Sequence, residues 1–236
     1  MAIVSQAFRC GPTIDYDDSD WYESRVSELG HINPSLEFWL KDNASDYDNA
    51  IIVGAGFGLS SKQLIDAGAD VTSLEPLTSR YDLLETNVPT GTNINKGAGS
   101  LPGTEVLYYN SDNKSGAVVD KEIGLQTQEV EVITIDSLGL SPDLMLIYAN
   151  GKEMEVLDGA SQTIADNSSC KIIMRWVPDK FDDIDVAYNK LTGLGKTIHI
   201  IHWDESNDEI SLKTQLDGVK PNDNLKAVTT ADLLLE

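Results

Sequence analysis

The sequence predicts a doubly wound α/β fold. Its sheet is mostly parallel with an antiparallel C-terminal edge, and a helical cap or arm over residues 1–48 precedes an α/β domain over residues 49–236. Three observations carry this. From Asn49 onward, apolar strand-like runs alternate with helix-like stretches, the order expected of βαβ units. The first run, "AIIV", ends at three closely spaced glycines, Gly54, Gly56 and Gly58, and a helical pattern follows them. Near the other end, "KTIHIIHW" and "DEISLKTQL" flank a polar "ESN", as in a closing hairpin.

The elements follow in order. In the arm, Trp21, Tyr22, Val26 and Leu29 fall at helical spacing, with Ser19 or Asp20 as a cap and Gly30 as a stop. "NPSLEFWLKDNAS" offers a second short helix with Pro34 in its first turn. The arm reads as an oligomerisation element or as a cover for one edge of the sheet. Then come the strand "AIIV", the helix "LSSKQLIDAG" ended by Gly68, the strand "DVTSLE", the helix "LTSRYDLLETNV" and a third strand within "TNINKGAGS". From Glu105 to Asp136 the rhythm breaks into strands around a polar turn, a β-rich insertion. Alternation resumes with "DLMLIYA", the helix "KEMEVLDGASQTIADN", the strand "CKIIMRWV" and the helix "FDDIDVAYNKLTGL".

Composition limits the functions open to such a fold. Seventeen Lys and Arg against 39 Asp and Glu give a net charge of −22, which repels nucleic acid and anionic membranes. The acidic surface is either a solvated face or a match for a basic partner. Cys10 and Cys170 form neither a disulfide framework nor a zinc site and suit a reducing compartment, taken as the cytoplasm. No signal-peptide pattern stands at the start, and no apolar run approaches the ~20 residues of a membrane span, so a soluble protein is expected.

Glycines after a first strand let the backbone approach a ligand at the carboxyl ends of the strands, where the next helix points its amides. A dinucleotide site wants G-x-G-x-x-G/A. Here the third small position is Leu59, which disfavours an NAD(P) oxidoreductase. S-adenosylmethionine (SAM) suits the pattern better. It takes a glycine turn, Gly54, Ala55 and Gly56, and an acid at the end of the second strand for the ribose hydroxyls. That acid is Glu75, 21 residues after Gly54.

The stretch "AIIVGAGFGLSSKQLIDAGADVTSLEPLTSRYDLLETNV" resembles the cofactor-binding half of the FkbM family of SAM-dependent methyltransferases. "VITIDSLGLSPDLMLIYANGKEMEVLDGA" resembles the family's second signature, with Asp143, Ile147, Gly151, Glu153, Glu155, Val156, Leu157, Gly159 and Ala160 in register. The likeness spans roughly Asn49 to Trp176. It implies a Rossmann-like methyltransferase sheet, SAM as cofactor, and O-methyl transfer to a sugar, lipid or other small molecule. It also implies an acid two residues before the first glycine, where Ile52 stands. The family's Lys, Asp and Glu of "KIDVEG" are replaced by Leu146, Tyr148 and Asn150, and an acid of the next strand by Arg175.

Methyl transfer to oxygen is an in-line displacement that needs a positioned nucleophile and usually a base. Tyr148 and Asn150 are the candidate catalytic residues. Tyr148 can orient an acceptor, or act as a base if its pKa is strongly lowered, and Asn150 can hydrogen-bond but not take a proton. Arg175 either binds an acidic acceptor or, as favoured here, pairs with an acid elsewhere. His31, His199 and His202 are the other candidate bases. Two readings follow: an active methyltransferase with an altered acceptor site, or a catalytically inactive methyltransferase-like domain that binds partners in an assembly. Partner contacts or homo-oligomerisation would fall to the arm.

Overall fold

A computed structural model of the chain describes residues 3–20, 29–110, 113–119, 126–207, 209–214, 225 and 230–236. The N-terminal segment opens with an antiparallel hairpin, β1 (Ile3–Ala7) and β2 (Thr13–Asp17), where no strand was expected. The helix expected around Trp21, Tyr22 and Val26 lies outside the described residues. The second expected helix is present as α1 (Pro34–Asn43), with proline in its first turn.

The sheet then begins with β3 (Asn49–Val53), α2 (Leu59–Asp66), β4 (Asp70–Leu74), α3 (Thr78–Asn87) and β5 (Thr92–Ile94). The short β6 (Gly97–Ala98) joins β7 (Gly103–Asn110), β8 (Asn113–Val119) and β9 (Gln126–Ile133) in a separate four-stranded sheet, the expected β-rich insertion. The chain returns through β10 (Leu144–Ile147), α4 (Glu153–Asp158), α5 (Ser161–Asp166), β11 (Lys171–Trp176) and α6 (Ile184–Gly193). It closes with β12 (Ile198–Asp204), β13 (Glu209–Thr214) and β14 (Ala231–Leu235).

The eight-stranded order is β13-β12-β14-β11-β10-β3-β4-β5. Strands β4, β3, β10 and β11 pair in parallel, and β14 runs antiparallel between β11 and β12. The antiparallel character is therefore inside the sheet as well as in the β12–β13 hairpin at its edge. The sequence reading had no strand at β14. "ADLLL" lacks alternation and β-branched residues, and it is buried because it lies inside a sheet covered on both faces, with Leu233 and Leu235 in one core cluster and Leu234 in the other.

Burial on both faces explains the apolar runs. Ile51 and Val53 of β3 join a cluster with Met145, Ile147, Ile172, Val156 and Leu191, under α4 and α6. Ala50 and Ile52 join the opposite cluster with Leu146, Ile173, Leu64, Leu40 and Trp39, under α1 and α2. A strand covered on both sides needs no polar face, so its sequence reads as continuous rather than alternating.

One expected helix, "KEMEVLDGASQTIADN", is two. A Cβ on Gly159 would stand 2.0 Å from the Gly99 carbonyl oxygen, so the chain packs against β6's loop at that point. The second helix starts afresh with Asp136 accepting from the Gln162 and Thr163 amides at 3.1 and 2.8 Å. Among the described residues, no helix is long and apolar enough to cross a membrane.

Candidate functional site

Strand order reverses at β3: β4 and β5 lie on one side of it, β10 and β11 on the other. A crevice opens at such a switch point because the two connecting chains leave in opposite directions. Here it is a cavity of about 500 Å³. All six residues named from the sequence line it: Gly54, Ala55, Gly56, Glu75, Tyr148 and Asn150.

The three glycines have different reasons. Gly54 has φ +76°, and a Cβ there would stand 2.1 Å from the Tyr148 carbonyl oxygen. Gly58 has φ +97°, and its Cβ would meet Val88 and Leu84 at 2.8 and 2.9 Å. Both are therefore required by the protein's own packing. Gly56, φ +58°, has Arg80 Nη1 at 3.5 Å as the nearest atom to a Cβ, so it is the one glycine whose missing side chain leaves room. The turn is tied down by the Gly54 and Ala55 amides, which donate to Leu74 O at 2.9 and 3.0 Å. Leu59 packs with Phe57, Ile14 and Leu83, filling the place a dinucleotide motif keeps small.

Glu75 follows β4 and is 6 % exposed. Its Oε2 accepts from the Gly56 amide at 2.9 Å and its Oε1 from the Leu77 amide at 3.0 Å. Burial pushes its carboxyl above the ordinary range, opposed by the Arg80 charge and these two amides. Arg80, itself buried, also lies 3.7 Å from the Asp20 carboxylate. Glu75 thus braces the glycine turn as well as lining the cavity. Each of its oxygens has one lone pair committed, and a carboxylate has about four acceptor positions.

Tyr148 donates its hydroxyl to Asp232 Oδ1 at 2.9 Å. Arg175 Nη1 donates to the same oxygen at 2.9 Å, and Asn33 Nδ2 approaches it at 3.4 Å. The pairing expected for Arg175 is present, and the acid comes from β14. Burial and the Asp232 charge hold the Tyr148 phenol well above its ordinary value, so Tyr148 is not a base in this arrangement. Asn150 takes a left-handed conformation, φ +56°, and its Oδ1 accepts from Lys180 Nζ. None of His31, His199 and His202 lines the cavity. His31 packs edge-on against Trp203, and His199 lies 3.1 Å from Glu236.

Two buried cavity carboxyls, Glu153 and Glu37, escaped the sequence reading as site residues. Glu153 was seen only as part of a signature. It is 2 % exposed, and its Oε2 accepts from the Gly151 amide at 2.9 Å. Burial pushes it up to about 7, with the Gly151 amide and the Lys180 charge among the opposing influences. Glu37 of α1, also 2 % exposed, accepts from the Ile32 and Asn33 amides at 2.8 and 2.6 Å and is raised to about 6 by burial. Glu153 was findable, since it stands two residues after Gly151, where the turn that follows β10 enters the next helix. Glu37 and Asp232 were not, because they reach the cavity region from opposite ends of the chain.

No protein-family model matches the sequence. No curated protein sequence matches it either. Solved structures similar to this chain include a TehB-like SAM-dependent methyltransferase from Corynebacterium glutamicum, at 11 % identity over 91 % of this chain and 92 % of that one, TM-score 0.49. Another is the plantazolicin methyltransferase BpumL in complex with a pentazolic desmethylPZN analog and SAH, at 8 % identity over 90 % and 88 %, TM-score 0.48. A third is magnesium protoporphyrin IX methyltransferase from Synechocystis with bound SAM, at 11 % identity over 84 % and 75 %, TM-score 0.43.

Proposed function

We propose that the cavity binds SAM and that the chain transfers its methyl group to an oxygen of a small-molecule acceptor, as the FkbM resemblance implies. The observation that carries this reading is convergence. The glycine turn, Glu75 and the Tyr148–Asn150 turn come from three separate stretches of sequence and line one cavity at the switch point. The bound cofactor would supply an electrophilic methyl on a sulfonium.

The chain's own residues would divide the work as follows. The turn at Gly54, Ala55 and Gly56 would receive the cofactor, with Gly56 leaving room for it. Glu75 would accept from the ribose hydroxyls with the lone pairs its two amides leave over. Tyr148 and Asn150 would line the acceptor's side. Their hydrogen bonds to Asp232 and Lys180 fix their positions, and neither takes a proton, since the Tyr148 phenol is neutral and an amide is not a base. A proton leaving the acceptor would go to a cavity carboxylate or to solvent.

The test is isothermal titration with SAM and with its demethylated product, S-adenosylhomocysteine (SAH), on the parent and on Glu75→Gln. Glutamine keeps an acceptor for one of the two braced amides, which alanine would strand. Micromolar binding that weakens at least tenfold in the variant supports the reading. A second reading, a methyltransferase-derived domain without catalysis, is favoured by the double engagement of Glu75 and the neutral Tyr148. Absence of binding to either nucleoside at millimolar concentration selects it.

A further inference from the structure

The cavity spans three strand ends in the order β4, β3, β10. Glu75 stands at the first, the glycine turn at the second, and Glu153 follows the third by way of the Ala149–Gly151 turn. The contact of Gly54 with the Tyr148 carbonyl brings the second and third side by side. A cofactor held by Glu75 at its ribose and by the glycine turn would have Glu153 on the cavity wall at its β10 side.

The placement of this carboxylate is held by specific features. Two consecutive left-handed residues, Asn150 at φ +56° and Gly151 at φ +106°, turn the chain so that the Gly151 amide points at Glu153 Oε2, 2.9 Å away. A non-glycine residue rarely takes that conformation, and here the Lys180 ammonium anchors the Asn150 side chain. A Cβ at Gly151 would also stand 3.2 Å from Lys180 Cβ, so the two segments are closely fitted. A carboxylate that is 2 % exposed exerts its field across the cavity with little screening by water.

We propose that Glu153 reads the charge of the cofactor's sulfur and makes the site prefer the sulfonium of SAM over the neutral thioether of SAH. This rests on the cofactor assignment above, and it gives that site a way to release its product. Methyl transfer removes the positive charge, and with it the attraction to Glu153, while the ribose and glycine-turn contacts are unchanged.

The experiment is titration of SAM and SAH at pH 8 into the parent and Glu153→Gln. Glutamine at 153 keeps an acceptor for the Gly151 amide and removes only the charge. The expected result is a parent that binds SAM more tightly than SAH, and a loss of SAM affinity of roughly tenfold in Glu153→Gln with SAH changed less than about twofold. The preference of the parent by itself keeps the idea testable should Glu153→Gln fold poorly. A parent that binds SAM no more tightly than SAH, or equal weakening of both ligands in Glu153→Gln, or an unchanged preference in that variant, would make Glu153 a brace for the turn and overturn the proposal. A parent that binds neither ligand removes the cofactor assignment itself, a result distinct from binding without discrimination.

Discussion

Arg175 and Asp232 face each other directly across the β11–β14 pairing, and Arg175 Nη1 lies 2.9 Å from Asp232 Oδ1. The Asp232 side chain is 1 % exposed, whereas the Arg175 side chain is 35 % exposed. The pair is therefore asymmetric: the acid depends on the base, and the base can fall back on water. Arg175→Met should cost about 1–3 kcal/mol in urea unfolding, less than a fully buried pair because the guanidinium is partly solvated. Asp232→Asn should cost less, since it strands no charge and leaves an acceptor for the Tyr148 hydroxyl. Equal costs, or an Arg175→Met protein within about 0.5 kcal/mol of the parent, would show that the pair does not hold β14 in place.

The glycine turn separates folding from binding. Gly54→Ala forces a Cβ onto the Tyr148 carbonyl and should destabilise by more than about 2 kcal/mol, read from the thermal midpoint. Gly56→Ala meets no backbone atom within 4 Å and should cost only about 1–2 kcal/mol for its positive φ. On the proposed cofactor assignment it should nevertheless weaken SAM binding, because Gly56 lines the cavity. A Gly56→Ala protein that binds SAM like the parent would place the cofactor elsewhere.

Stability should fall as pH rises toward neutrality. The folded Glu153 holds its proton up to about 7, whereas its ordinary value is 4.5. Between these values the folded chain binds a proton the unfolded chain has released. The contribution is complete below about pH 4.5 and is lost as pH climbs through 7. Glu37, raised to about 6, acts in the same direction over a narrower window. Lys180 opposes the shift at Glu153, and Asp232 adds to that at Glu37. The slope of unfolding free energy against pH between 5 and 7 should be shallower in Glu153→Gln than in the parent. Identical slopes would mean that Glu153 is ionised throughout.

Asn87 ties the N-terminal hairpin to the glycine turn. Its Nδ2 donates to Asp15 O at 2.7 Å and to Phe57 O at 2.8 Å, and its Oδ1 accepts from the Asp15 amide at 2.8 Å. Asn87→Ala removes three partners at once and should cost about 2–3 kcal/mol. It should also speed removal of the hairpin in limited proteolysis. An unchanged cleavage rate would mean that the apolar contacts of Ile14 and Tyr16 with Phe57 and Leu83 suffice.

The sequence by itself determined the alternation of strands and helices, the position of the glycine turn, and six of the residues that line the cavity. Each of these is local. Burial on both faces of β3 and β10 writes itself as continuous apolar runs, and a backbone that must turn with positive φ writes itself as glycine. What the glycines are for was decided by tertiary structure: Gly54 and Gly58 yield to Tyr148, Val88 and Leu84, and Gly56 alone leaves room. Strand β14 was likewise invisible, because it is stabilised by strands that lie far away in the chain, and the N-terminal hairpin, though it pairs locally, is buried only against the distant Phe57, Leu59 and Leu83. The same distance hid Asp232. An arginine in a buried strand announces that it needs an acid, but only the antiparallel insertion of β14, 57 residues further on, says which one.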